Sequence, residues 1–153
     1  NNFFSALSLT KKKIIPYIDL EYSTELALGK YWKQLQPMDK KVFERDIKTT
    51  LINEYINSLV NMESWEHVNI TVDKNFSQLN NLAEVKIVSS LEDEYRYITA
   101  TVTLKLIRKD RWRIYDLVYQ SFSILDYFEY SYNEKISRAG GLKNTLQDML
   151  QRT

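Results

Sequence analysis

Hydrophobic positions along this chain change their period twice, and the two changes divide it into helices, a sheet, and helices again. From Asp19 onward, Leu20, Leu26, Leu28, Tyr31, Trp32 and Leu35 fall into two short helical pieces hinged around Gly29. Pro37 suits the first turn of a helix, where a missing N–H costs nothing. Behind it, Val42, Phe43, Ile47, Leu51, Tyr55 and Leu59 recur about every four residues, while Lys41, Glu44, Lys48 and Glu54 lie off that line. The spacing predicts an amphipathic helix from Pro37 to about Met62. Between His67 and Tyr119 the period becomes two: Val68, Ile70 and Val72; Ala83, Val85 and Ile87; then Ile98, Ala100, Val102, Leu104 and Leu106. Thr99, Thr101, Thr103 and Lys105 take the opposite face of that third run. Residues 91–94 and 108–110 read as short polar connectors, so the last three strands form an antiparallel meander. Leu125, Phe128, Tyr132 and Ile136 then restore a helical spacing, and Gly140-Gly141 separates them from Leu142, Leu146, Met149 and Leu150.

Helices segregated from one sheet make the fold class α+β. The expected architecture is helices packed on a twisted, mainly antiparallel sheet of about four to five strands, cone-shaped, with an apolar pocket between the layers. A chain of 153 residues fits one domain, 1–153, able to bury ~70% of the surface it exposes when unfolded. The fourth strand is the unusual one. Simple alternation sets Trp112, Ile114 and Val118 against Tyr115, Leu117 and Tyr119, so both of its sides want cover. A packed two-layer core would provide that cover, and so would a pocket lined by apolar groups with a few polar ones at its rim.

Composition removes several chemistries. With 21 basic and 20 acidic residues alternating along the chain, there is no electrostatic footprint for nucleic acid. The absence of cysteine rules out disulfides, zinc–thiolate sites and thiol nucleophiles. His67, the only histidine, sits beside Glu66 at a strand start and reads as a solvated surface group rather than a general base. No catalytic set, metal site or cofactor is expected, and no apolar run approaches the ~20 residues of a membrane span. Asp116, between Tyr115 and Leu117, is expected to be a structural partner of Arg111, Arg113 or a backbone amide. Lys11, Lys12 and Lys13 form either a solvated helix start or a steering patch for anionic lipid or an acidic partner. Eleven tyrosines suit half-wet apolar surfaces such as pocket mouths. The chain opens on Asn1, which leads us to expect that a leader was removed by processing or trimming.

Several segments, in order, resemble the MlaC (toluene-tolerance) family of periplasmic phospholipid carriers. They are Ile15-Pro16-Tyr17-Ile18, then Leu26-Ala27-Leu28-Gly29-Lys30-Tyr31-Trp32, then the helix from Pro37 through Phe43 to Tyr55. Trp112-Arg113-Ile114-Tyr115-Asp116, followed by Ser121-Phe122-Ser123, is similar to that family's tryptophan-x-x-tyrosine-aspartate strand and serine-ended segment. Gly140-Gly141-Leu142 with Leu146 matches its closing helix. The likeness covers roughly residues 14–62 and 111–150, with the strands between agreeing in pattern.

The resemblance implies a single soluble domain that holds the diacyl tails of a glycerophospholipid and performs no covalent chemistry. It further implies a periplasmic, monomeric shuttle between an inner-membrane ABC lipid-transport complex and an outer-membrane lipoprotein complex. Under it, Leu28, Tyr31, Trp32, Phe43, Ile47, Leu51 and Tyr55 are expected to line one wall of the pocket, and Val102, Leu104, Ile114, Val118, Phe122 and Ile124 the other. Three departures stand out. Gln120-Ser121 replaces the family's usual glutamate-glycine pair, and Phe122 replaces a smaller aliphatic. Asp126, Tyr127, Phe128 and Glu129 stand where an asparagine-aromatic-arginine run is usual. Only thirteen residues precede Ile14, where the family carries a long helix. Two other classes remain open on the residues alone: a non-transporting interaction domain with a filled pocket, and a small enzyme on the same scaffold.

Overall fold

The computed structural model describes residues 8, 10–60, 68–73, 76–92 and 94–152, with the side chains of 10, 55–60, 68 and 91 excepted. The expected helix end at Met62 and the histidine His67 lie outside the described residues. After a short helical turn at Thr10–Ile14 and a 3-10 turn at Ile15–Tyr17, helix α1 runs Leu20–Leu28. Asp19 caps it, Oδ1 accepting from the Tyr22 amide at 2.9 Å. At Gly29 φ is +52°, a conformation suited to a residue without Cβ, and the chain tightens there into a 3-10 helix, Gly29–Gln34. Helix α2, Pro37–Val60, follows. Near the end of the chain, helix α3, Ile124–Ala139, begins at Ser123, whose Oγ accepts from the Asp126 amide at 3.1 Å. It ends in a left-handed Gly140, with Gly141 N–H donating to Ile136 O and Gly140 N–H to Ser137 O, the paired bonds of a Schellman motif. Helix α4, Leu142–Gln151, starts immediately after.

Between the helices lies an antiparallel sheet in the order β1-β3-β4-β5-β6, with β2 also paired to β3. The strands are β1 (Val68–Val72), β2 (Ser77–Leu79), β3 (Leu82–Glu92), β4 (Tyr97–Arg108), β5 (Trp112–Tyr119) and β6 (Phe122–Ser123). Among the described residues the sheet has six strands where the pattern predicts four or five, because β2 and β6 are three and two residues long, too short to display an alternation. β3 and β4 also extend into the expected connectors, to Glu92 and Arg108.

One irregularity reorganises the fourth long strand. Lys105 pairs with Asp116 but Leu106 pairs with Ile114, which leaves Tyr115 as an extra residue in β5, a bulge. A one-residue offset exchanges the two faces of a strand beyond it. Trp112 and Ile114 therefore share a face with Leu117 and Tyr119, while Arg113, Asp116 and Val118 take the other. This corrects the face assignment read from simple alternation. The bulge is also where α1 docks. Asp19 N–H donates to Ile114 O at 2.8 Å, Ser23 Oγ to Tyr115 O at 2.7 Å, and the Tyr22 and Tyr115 rings meet edge-on at 5.1 Å. Asp19 Oδ2, buried and without a well-aligned hydrogen bond, lies 2.7 Å from Lys109 Nζ, an ion pair that ties α1 to the turn between β4 and β5.

The closed core belongs to the helices. Ala27, Leu28, Trp32, Leu35, Phe43, Ile47, Phe128, Tyr132 and Ile136 form one buried cluster, drawn from α1, the 3-10 segment, α2 and α3. Phe43 meets the Tyr132 ring edge-on at 5.4 Å, and Phe128 stacks on Tyr132 at 6.2 Å.

Candidate functional site

The sheet's pairing register assembles apolar residues into rows across one face. Val72, Ile87, Val102, Tyr119 and Phe122 form one row, each paired with the next from β1 to β6. Val85, Leu104 and Leu117 form a second, and Ala83, Leu106 and Ile114 a third. The opposite face carries Lys86, Thr103 and Val118 in one row and Glu84, Lys105 and Asp116 in the next. The first face is thus apolar in two dimensions, and it is not closed. Val85, Ile87, Val102, Leu104, Ile114 and Leu117 are only half-buried, and at its margins Ile70 is 62% exposed, Val72 59% and Phe122 55%. A contiguous apolar surface of this kind marks a binding region more often than a plain exterior.

The residues expected to line a pocket separate into two groups. Leu28, Trp32, Phe43 and Ile47 belong to the closed helical core, with Phe43 at 0% and Ile47 at 1% exposure. Tyr31, Leu51 and Ile124 pack partly buried against that core and keep some free surface. Tyr55 lies on α2, but its side chain is outside the described residues. On the sheet, Val102, Leu104 and Ile114 share the open apolar face and Phe122 extends it at the β6 edge. Val118 does not join them, since the bulge turns it to the polar side beside Thr103 and Ser123. Leu117 and Tyr119 take the places that simple alternation assigns to Val118. Val85 and Ile87 complete the face, and their own alternation in the sequence was the signal for them.

The polar groups nearby are engaged in structure. Asp116 accepts from the Leu117 amide at 2.8 Å, the Leu125 amide at 3.0 Å and Ser123 Oγ at 2.7 Å. Ser123 passes the linkage on to Asp126 N–H, so one carboxylate joins β5 to the start of α3. Of the partners expected for Asp116, the backbone amides are the ones that bind it. Arg111 donates to Pro16 O at 2.9 Å instead, and Arg113 grips Asp110 through two bonds of 3.1 Å, which holds the Asp110 carboxyl below the usual carboxylate range. Burial, reinforced by the Tyr22 ring and neighbouring carboxylates, raises the Tyr115 phenol. Tyr132, almost fully buried, donates to Asp46 Oδ2 at 2.7 Å, and burial pushes its phenol well above the ordinary value. Among the described residues, no group of three or more histidine or acidic side chains is arranged to hold a metal. Nor is any helix among them long and apolar enough to cross a membrane.

A concavity lies elsewhere. It is a groove of about 540 Å³ between α2, α3 and α4, lined in part by Val42, Ala139, Thr145 and Met149. None of the residues expected to bind lipid lines it.

The turn joining β5 to β6 gives the Gln120-Ser121 departure a physical meaning. Both residues have positive φ, +47° and +67°, as the two central positions of a tight hairpin turn require. A glycine would take the second position without strain. Ser121 takes it at a cost.

Comparisons with known proteins agree with this geometry. The family model of the MlaC protein matches residues 5–151. No curated protein sequence matches the chain. Among solved structures, a phospholipid-binding protein from Ralstonia solanacearum, in complex with a phospholipid, superposes with a TM-score of 0.74 at 22% sequence identity, covering 98% of this chain and 81% of that one. At that identity the likeness speaks for the fold, and the family model speaks for descent. On a match that runs from the fifth residue to the third from last, the chain belongs to the MlaC family.

Proposed function

We propose that this protein is a phospholipid carrier: a single soluble domain, 1–153, that shelters the tails of a diacyl glycerophospholipid against the apolar face of its sheet and carries out no covalent chemistry. The observation that carries the reading is the face itself, three apolar rows in register, one running from β1 to β6 and two across β3, β4 and β5, left half-covered. The structural neighbour was seen with a phospholipid bound, and it shares the fold along nearly the whole chain. In this reading Val102, Leu104, Ile114, Leu117 and Phe122 meet the tails from the sheet side. Tyr31, Leu51 and Ile124 meet them from the helices, and Leu28, Trp32, Phe43 and Ile47 stand behind as support.

Magnitude makes the role coherent. About 30 tail methylenes at ~0.8 kcal/mol each would lose ~24 kcal/mol on meeting water. A carrier has to replace nearly all of that stabilisation, but need not exceed it, because the lipid is exchanged between two apolar environments. A half-open sheet face meets this demand better than a sealed core, whose side chains have no surface left to offer. The family reading extends to the periplasm and to exchange between an inner-membrane ABC complex and an outer-membrane lipoprotein complex, with the protein acting as a monomer and without nucleic acid.

Lipid extraction and mass spectrometry of the purified protein test the proposal. One diacyl phospholipid per chain is expected. A folded protein that repeatedly yields no lipid would favour the second reading, a non-transporting interaction domain. That reading draws on the tight packing of Leu28, Trp32, Phe43 and Ile47 and on the exposed Phe122 ring.

A further inference from the structure

The groove between α2, α3 and α4 differs in chemistry from the apolar sheet face. Val42, Arg45, Asp46 and Thr49 recur along one stripe of α2, about two turns long at 1.5 Å per residue. Lys135, Arg138 and Ala139 face them from α3, and Asp148 and Met149 from α4, with Arg152 just past its end. Its lining carries four basic side chains, Arg45, Lys135, Arg138 and Arg152, against two acidic ones, Asp46 and Asp148. With Glu134, which pairs with Arg138 at 2.7 Å, the local balance is four basic groups against three acidic ones, an excess of one positive charge.

Among the described residues, neither aspartate of the groove pairs with one of its arginines. Asp46 is engaged by the buried Tyr132 hydroxyl at 2.7 Å. Arg45 and Arg152 form no ion pair among the described residues, and Arg138 pairs with Glu134, which lies outside the groove lining. Lys135 stands with its ammonium 5.5 Å from the Tyr132 ring centre. Guanidinium groups beside apolar side chains offer forked donors for carboxylates, and arginine is the charged residue most enriched at protein interfaces.

We propose that this groove between α2, α3 and α4 is a docking site for an acidic segment of a partner protein, separate from the lipid-binding face. A membrane surface fits it poorly. The site is concave, and its two aspartates would repel a uniformly anionic sheet of head groups. A polypeptide can place carboxylates against Arg45 and Arg152, apolar side chains on Val42 and Met149, and a donor against Asp148. The inference goes beyond lipid binding, since no residue assigned to the tails lines the groove. It gives the carrier one surface for its cargo and another for recognition.

A photo-reactive benzophenone amino acid at Thr49, an exposed position in the groove, tests this in the cells that produce the protein. The adduct is then identified by mass spectrometry. The expected adduct is a peptide rich in aspartate and glutamate from another protein. Its yield should fall at least tenfold in the R45E/R152E double variant and fall again as the salt concentration is raised, with the lipid content of the variant unchanged. An adduct to lipid, to a second copy of this chain or to a peptide without an acidic cluster would overturn the proposal. So would no adduct, a yield indifferent to charge reversal, or loss of bound lipid in a double variant that still folds. If the acidic adduct forms on a chain that carries no lipid, the carrier reading fails and the docking site stands.

Discussion

The helical layer and the sheet are written in equally apolar patterns, yet one is sealed and the other is left open. In the helices, each apolar stripe meets another. Phe43 and Ile47 of α2 are 0% and 1% exposed against Phe128, Tyr132 and Ile136 of α3. On the sheet, the close helix approaches run along β5, where α1 docks at the bulge and α3 springs from β6. Moving away from β5 the cover thins, from the half-buried Leu104 and Val102 to Val72 and Ile70 on β1. The two regions divide the work: helix packing supplies stability, and the sheet is free to keep an apolar surface for something other than its own side chains.

Substitutions in the sealed half test the first part of that division, and Phe43→Ala should have the largest effect. It removes a fully buried ring from the helical core and should cost about 3–5 kcal/mol in urea unfolding. A loss under about 1 kcal/mol would mean that the helical layer is not the stabilising one. Asp116→Ala comes next at about 3 kcal/mol, because it strands two amides and the Ser123 hydroxyl at the joint between the layers. If it unfolds at the parent's denaturant concentration, the joint is dispensable.

Tyr132→Phe should cost only about 1 kcal/mol at neutral pH, the usual worth of one hydrogen bond. Its more telling effect appears in alkali. The folded phenol titrates above its ordinary value, so its contribution is fully present below a pH of about 10 and is lost as pH rises beyond it, by at most about 1.4 kcal/mol per pH unit. Removing the hydroxyl should flatten the parent's alkaline loss. Identical alkaline unfolding curves for the two proteins would show that Tyr132 does not titrate from a buried state. The smallest effect expected is a gain: Ser121→Gly should stabilise by about 1 kcal/mol by relieving a serine held at φ +67°. No shift in the denaturation midpoint would mean that the turn is unstrained.

The sealed half was the more legible of the two in the sequence. Its four-residue spacings, Pro37, Gly29 and the Gly140-Gly141 pair are local signals, and each marks an observed start, hinge or end of a helix. The sheet's alternation was legible as far as Leu106, and it placed Val102 and Leu104 on one face correctly. It failed at Tyr115, where a bulge shifts the period by one. Nothing in Arg113-Ile114-Tyr115-Asp116 announces that shift, because it depends on Ser23 and Asp19, more than 90 positions away, bonding to the β5 backbone. Hence Val118 read as a wall residue and Leu117 did not. The division between sealed core and open face was also invisible. Phe43 and Leu104 are both apolar members of a regular pattern, one helical and one alternating, and neither pattern says which will be sealed; the layout of helices over the sheet decides it. The basic groove escaped notice because its residues come from three helices and alternate with acids along each.

Neighbouring residues of β4 point to opposite faces, so they give the most direct test of the open face. Native mass spectrometry of the parent, Leu104→Asp and Thr103→Asp, each checked for folding by circular dichroism, compares an unpaired carboxylate among the apolar rows with one beside Lys86 on the polar side. The account predicts one phospholipid per chain in the parent and in Thr103→Asp, and a loss of at least tenfold in Leu104→Asp. Equal lipid retention by the two folded variants would contradict it.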